Sequence, residues 1–300
     1  MLPVLFCSHP FEYHLPHPMF EEEVKIASDL GEVFLLDHSA LVEGRTQAAL
    51  RKVPHSTKKY QTEIVYNGWM VTPDIYRTLY DALILKGYRL VNTPAAYAGC
   101  HHLANWYEHI ADHTPKSLIV KSSDLRTLIE AAASFGDEPL IIKDFVSSQK
   151  HSWKEACFIE KANDAVGAGK VIAAFLALQA EVDGVQGGVV LRQFQQLKSI
   201  GTHPKSGMPL SQEFRAFVFN GKIISLSKYW EYGEYTQDHP PKSLFDTIIK
   251  KIQAATESRL FTIDVAQKTN REWVCIEVGD GQVSSLPEKA DKKKFYQKLS

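Results

Sequence analysis

Apolar residues along this chain follow two spacings, and the switches between them divide it into elements. Residues 2–7 (LPVLFC) are an unbroken apolar run, the mark of a buried strand. Phe20, Val24, Ala27 and Leu30 then recur at helical spacing up to Gly31, and residues 32–37 (EVFLLD) form a second strand-like run. Strand, helix, strand is a βαβ order, and it predicts an open α/β sheet at the N-terminus. Residues 44–62 are polar and read as a loop, and residues 63–66 as a further strand. Thr72-Pro73-Asp74 starts a helix with a capping hydroxyl, a proline where no backbone N–H is needed, and an acid at the positive end. Ile75, Leu79, Ala82 and Leu83 carry it to Gly87. Residues 88–92 (YRLVN) return as a strand, residues 93–110 read as helix, and a boundary falls near His113-Thr114-Pro115.

The next stretch is shorter in period. Residues 118–121 read as a strand, and Ser123 caps a helix that turns Leu125, Leu128, Ile129 and Ala132 inward. Residues 139–145 (PLIIKDF) are an apolar strand with Lys143 in its middle, residues 147–156 (SSQKHSWKEA) a polar, basic loop, and residues 157–159 a strand again. Residues 164–181 read as helix, and residues 187–194 (GGVVLRQF) as another apolar strand. From Glu213 onward, residues 214–219 and 222–226 flank Asn220-Gly221, the strongest two-residue hairpin signal. Ser243 with Asp246 resembles a capping box opening a helix through Leu244, Ile248, Ile252 and Ala255. The charged tail, residues 289–298, reads as solvated surface. The division expected is 1–114, 115–195 and 196–300.

One hairpin, residues 261–287, carries more than its fold. In FTIDVA, Phe261, Ile263 and Val265 face one way and Thr262, Asp264 and Ala266 the other; WVCIEV alternates likewise. A turn at Asn270-Arg271 sets Ile263 against Val278, Val265 against Ile276, and Asp264 against Glu277. Opposed carboxylates with Cβ atoms roughly 5 Å apart repel. A hard divalent cation between them reverses that sign, and Mg²⁺ takes carboxylate oxygens. Asp280, in GDG, is a third carboxylate that flanking glycines would let the chain turn inward. The alternative is a solvated hairpin whose acids point to water.

Bulk properties exclude more than they assign. A formal net charge of −1 gives no global attraction to nucleic acid or anionic membrane, so such a partner would need a local patch. Cys7, Cys100, Cys157 and Cys275 lie far apart with no CxxC and no paired Cys/His spacing, which argues against a zinc site or a disulfide framework and for a reducing cytoplasm. The N-terminus lacks the basic region of a signal peptide, and no apolar run approaches the roughly 20 residues of a membrane span. GxGxxG is absent. Gly167-Ala168-Gly169-Lys170 looks like half a P-loop, but Asp164 and Val171 occupy the flanking key positions and the segment has helical periodicity. KxDG, GxSxG and HExxH are also absent, and HxT occurs once, at His55, where phosphoesterases need it twice.

Four cations sit in apolar strands: Lys143, Arg192, Arg215 and Lys228. Alone, each reads equally as a side chain snorkelling from a sheet edge. Together, beside a carboxylate hairpin, they match phosphoryl chemistry, in which cations offset phosphate charge and carboxylates hold the bridging Mg²⁺. Arg215 suits forked contact with phosphate, and Lys143 acts as a point charge.

The ordered set of an α/β domain, a small α+β lobe with a strand lysine, a linker strand, and a sheet bearing FR, an NG hairpin, ID and IE resembles the ATP-grasp superfamily. The resemblance implies two lobes with ATP between them. Lys143 would lie on the adenine and phosphate side, Gln193 and Phe194 near the base, and Arg192 along the hinge strand. Arg215 would lie on phosphate, with Asp264 and Glu277 on one or two Mg²⁺ ions. That family's third ligand is an asparagine two residues after the glutamate; here the position is Gly279, and Asp280 is the candidate replacement. KDFVSSQKHSWKEACFI, EFRAFVFNGKIISLSKYW and VCIEVGDGQVSSLP are further similar to the clade proposed to contain RNA ligases, marked by an arginine and two lysines. These match Arg215, Lys143 and either Lys150 or Lys228, the last two as stabilisers of the transferring charge. The resemblance therefore implies ATP-dependent joining of RNA ends, and RNA repair, without a covalent lysyl-adenylate. Lys150, His151 and Lys154 around Trp153 would grip a phosphate backbone or, equally, form a lid over ATP. A carboxylate–amine ligase acting on an amino acid or peptide is the alternative enzyme, and a non-catalytic ATP-binding module the second alternative.

Overall fold

Val4–Cys7 (β1), Val33–Leu36 (β2), Thr62–Asn67 (β3) and Tyr88–Leu90 (β4) form a parallel sheet in the order β2-β1-β3-β4. The computed structural model describes residues 1–146, 152–181, 184–204 and 208–300. β1 is central and wholly buried, which is why it reads as an unbroken apolar run. Ser117–Val120 (β5), Leu140–Asp144 (β6), Phe158–Ile159 (β7) and Val189–Gln193 (β8) make an antiparallel sheet ordered β5-β8-β6-β7. The Leu125–Ala133 and Ala165–Ala180 helices cover it through Leu128, Ile172 and Phe175. Asp164 caps the second helix, so the GAGK segment lies within a helix rather than in a phosphate-binding loop. Ser199–Thr202 (β9) and Pro209–Ser211 (β10) form a two-stranded ribbon. Glu213–Phe219 (β11), Lys222–Lys228 (β12), Leu260–Gln267 (β13) and Trp273–Asp280 (β14) form the last sheet, antiparallel and ordered β12-β11-β13-β14.

This last sheet positions the site. Strand alternation gives β11 and β13 two unlike faces. Ala216, Val218, Ile263 and Val265 pack in one core with Phe245, Ile248 and Ile252 of the Lys242–Thr256 helix. On the other face Phe217, Phe219 and Leu260 belong to the core of the parallel sheet, and further along that face come Arg215, Thr262 and Asp264. The NG turn has φ of 48° at Asn220 and 77° at Gly221, the doubly positive geometry that only such a pair adopts cheaply.

Several expectations change. The helix over residues 93–110 is broken: Pro94–His101 and Leu103–Trp106 are separate because His102 is extended, and a 3₁₀ segment follows over Tyr107–His113. The Lys242–Thr256 helix begins after Pro241 with no side-chain cap, so Ser243 and Asp246 form no capping box; Asp246 pairs with Lys242 instead. The predicted Val265–Ile276 pairing gives way to a β-bulge after Asp264, which sets Val265 against Cys275. The tail is not solvated surface. Asp291 caps the Lys292–Gln297 helix, and Phe295, Tyr296 and Leu299 are buried in the N-terminal core. Leu2 donates its N–H to the Leu299 carbonyl at 2.6 Å, and Asn67 donates to the Tyr296 hydroxyl at 2.6 Å. The run of lysines conceals apolar positions 295, 296 and 299. Burial of three such side chains is worth about 5–8 kcal/mol, comparable with the whole stability of a domain. Truncation after residue 290 is therefore expected to abolish the cooperative thermal transition; an unchanged melt would contradict this packing. No helix among the described residues is long and apolar enough to cross a membrane.

Candidate active site

Two acids and two cations meet where β6 approaches β14. Register sets Asp264 directly against both Glu277 and Arg215 on its flanking strands. Arg215 forks onto Asp264, Nε to Oδ1 at 2.8 Å and an Nη to Oδ2 at 2.7 Å, and its other Nη donates to the Ser285 carbonyl at 3.1 Å. Burial alone would lower the guanidinium pKa, but the adjacent Asp264 carboxylate outweighs it and holds Arg215 above its ordinary value. Lys143, only 5% exposed in the middle of β6, donates from Nζ to Glu277 Oε1 at 2.7 Å. The lysine in an apolar strand thus points at a carboxylate across the cleft.

Glu277 is the wall shared by two cavities. One, of about 220 Å³, is lined by Lys143, Arg192, Gln193, Phe194, Trp153 and Ile276 among others. The bulge after Asp264 leaves Ile276 unpaired, and Ile276 lines this cavity. At its mouth Trp153 stacks on Phe158 with ring centroids 5.6 Å apart, and Phe194 stands edge-on to Phe158 at 5.0 Å. An apolar recess walled by aromatic rings and ending at a lysine and a glutamate has the form of a nucleotide pocket. Trp153→Ala is expected to weaken ATP binding about tenfold, the loss of roughly 1–2 kcal/mol of ring contact. Calorimetric titration checks this, and unchanged affinity would remove the base from that end. The second cavity, of about 230 Å³, is lined by Met70, His101, Val146, Arg215, Thr262, Asp264, Ser284 and others.

The donor chemistry fits a hard divalent cation: two carboxylates face each other in a pocket with hydroxyls beside them. Among the described residues no cluster of three or more His, Cys, Asp or Glu side chains forms. Asp280 does not join the pair. Three residues beyond Glu277, it turns to the opposite face of β14 and is wholly buried. Its carboxylate accepts from Asn92 Nδ2 at 2.6 Å and the Gln282 N–H at 2.9 Å. Burial raises its pKa to about 7. A folded-state pKa above the unfolded value means the folded protein holds a proton that the unfolded chain releases between about pH 4 and 7, so stability falls as pH rises through that window. Asp280→Asn is expected to flatten this slope in melts between pH 5 and 8; parallel profiles would refute it.

The other candidate residues are dispersed. Arg192 is buried beneath the cleft and donates to Thr114 Oγ1 at 2.6 Å and toward the Cys275 carbonyl at 3.4 Å, tying the small sheet to β14. Gln193 reaches the cleft and donates to Glu138 at 3.2 Å. Lys228 is exposed at the end of β12, its Nζ 4.9 Å from the Tyr235 ring centroid. Lys154 is exposed on the short Trp153–Ala156 helix and lines neither cavity. Lys150 and His151 lie outside the described residues.

Residues that sequence reasoning missed include His101, Thr262 and Ser284. His101 stacks on Tyr97 at 4.8 Å, and burial lowers its pKa to about 4, so its ring is neutral. Nothing in the GCHH stretch marks that position. Thr262 had a signal, since alternation places it on the face of Asp264.

Two antiparallel lobes closing on one cleft, with a lysine from one and an arginine and two carboxylates from the other, define an ATP-grasp ligase. A model of the ATP-grasp domain, family 3 of the clade named for its one arginine and two lysines, matches residues 134–299, and the chain belongs to that family. No curated protein sequence matches it. Solved structures share the fold at low identity. A RimK domain ATP-grasp protein from Sphaerobacter thermophilus is 14% identical with a TM-score of 0.58, over 95% of this chain and 92% of that one. The D-cycloserine synthetase DcsG is 11% identical with a TM-score of 0.60, over 99% and 97%. The ATP-grasp ligase PsnB, complexed with a minimal precursor, Mg and ADP, is 10% identical with a TM-score of 0.55, over 95% and 90%.

Proposed function

We propose that this ATP-dependent ligase joins a carboxylate to an amine on an amino acid or peptide. The observation that carries the reading is the wall of the second cavity: Met70, Val146, Val278 and Val283 with His101 and serine hydroxyls, and Arg215 as its one Lys or Arg side chain among the described residues. A small acceptor with one carboxylate suits that wall. A polynucleotide brings a charge at every phosphate and calls for a row of cations. The RNA-joining expectation rests on Lys150 and Lys154, of which the first lies outside the described residues and the second lines neither cavity. DcsG and D-alanyl-alanine synthetase A from Vibrio cholerae, 12% identical with a TM-score of 0.55, add support through their amino-acid chemistry.

In this reading Trp153 and Phe194 hold the base, and Lys143 and Arg215 turn from Glu277 and Asp264 toward the phosphates. Asp264 and Glu277 hold Mg²⁺, which when bound neutralises the phosphate oxygens. An acceptor carboxylate oxygen takes the γ-phosphoryl group, ADP leaves, and an amine displaces phosphate to give the amide. Arg215 offsets the charge that develops on the transferring group. Released ADP and phosphate, measured with Mg-ATP and pools of amino acids, dipeptides or nicked and single-stranded RNA, test this. Amino-acid- or peptide-stimulated release with an amide product supports it; stimulation by RNA alone, with a joined strand, overturns it.

A further inference from the structure

Gly279 lies opposite Thr262 and on the same face of β14 as Glu277. A Cβ added there would meet Thr262 Oγ1 at 3.0 Å and Ser284 Oγ at 3.2 Å. The space at the root of a side chain at this position is therefore taken by two hydroxyls. They lie 3.1 Å apart and line the same cavity as Asp264 and Glu277.

The direction of their protons decides what they can hold. A hydroxyl has one proton and two lone pairs. Ser284 donates to the Asp280 carbonyl at 2.8 Å, and its proton is committed to the backbone. Thr262 then donates to Ser284 Oγ at 3.1 Å or to the Gly279 carbonyl at 3.4 Å. Both protons point into the protein, so lone pairs remain for the cavity. Such a pair repels a phosphate oxygen and accepts a cation or a cation-bound water. Asp264 and Glu277, on the same face of the sheet, select the same kind of guest.

We infer that the Thr262 and Ser284 hydroxyls complete the oxygen shell of the divalent cation held by Asp264 and Glu277, in the place where Gly279 offers no side chain. The inference rests on the reading of those two carboxylates as metal ligands. Mg²⁺ bound through two carboxylates and nucleotide phosphates retains further oxygen positions. Hydroxyls that contact or orient a ligand in those positions change metal affinity by roughly 10–100-fold when removed.

The test is Mn²⁺ affinity in the presence of ADP, read by electron paramagnetic resonance of free Mn²⁺, with no acceptor substrate. Ser284→Ala, at a half-buried position, and Thr262→Val, which keeps the side-chain shape, are each expected to weaken Mn²⁺ binding several-fold, and together about tenfold or more. Nucleotide-free melting verifies that each variant is folded, and Ser284→Ala serves alone if Thr262→Val does not fold. In the Thr262→Ala/Ser284→Ala background the crowding at position 279 is relieved, and adding Gly279→Asn is expected to restore affinity by supplying an amide oxygen. Glu277→Gln is measured alongside. If it weakens Mn²⁺ binding while the hydroxyl variants do not, this inference fails and the carboxylate site stands. If none of them changes affinity, the carboxylate reading fails with it.

Discussion

Glu277→Gln is expected to lower ATP-dependent turnover at least a hundredfold while leaving the melting temperature within a few degrees of the parent. The substitution keeps the shape of the side chain, and its amide oxygen still accepts from Lys143 Nζ, now 2.7 Å from the carboxylate. The Glu277 side chain is about one-third exposed (32%), so losing a partly solvated charge pair costs little stability. What disappears is one of the two formal negative charges available to a cation at the junction of the two cavities. Removal of one electrostatic group at a phosphoryl-transfer site is worth roughly 10²–10³ in rate. Turnover at saturating Mg-ATP within a factor of three of the parent would exclude Glu277 as a ligand.

Arg215→Ala is expected to be worse for the fold as well as for turnover. The Arg215 side chain is 15% exposed and that of Asp264 5%, and the two share a forked pair of hydrogen bonds. Deleting the arginine leaves a buried carboxylate with its charge unmatched, a loss of about 3–5 kcal/mol. Arg215→Lys keeps the charge but cannot fork, and is expected to recover part of the stability and little of the activity. The double variant Arg215→Met/Asp264→Leu removes both charges and is expected to melt above Arg215→Ala while remaining inactive. Denaturant titration separates these; an Arg215→Ala protein of parental stability would show that the pair contributes nothing to the fold.

The parts of this molecule that could be read from the sequence are those set by short-range rules. Alternation in FTIDVA and WVCIEV fixes which residues share a face, and the Asp264–Glu277 register follows from matching the apolar sides. Lys143 and Arg215 were visible because charge inside an apolar strand is costly without a partner. What could not be read depends on tertiary packing. Whether Asp280 faces the cleft or the seam follows from Asn92, nearly two hundred residues earlier in the chain. The bulge after Asp264 breaks the regular pairing without any glycine or proline to announce it. The C-terminal helix is dominated by lysines, and its three buried residues matter only because the parallel sheet lies beneath them. Lys228 shows the converse: an apolar strand can end in a lysine that simply reaches solvent over a tyrosine ring.

The most direct test of the account is a crystal structure with Mn²⁺ and a non-hydrolysable ATP analogue, with the metal located by its anomalous scattering. The account predicts a Mn²⁺ peak between Asp264 and Glu277, the triphosphate against Lys143 and Arg215, and the base beside Trp153 and Phe194. A nucleotide bound elsewhere, with Arg215 still forked onto Asp264 and Lys143 still on Glu277, would contradict it.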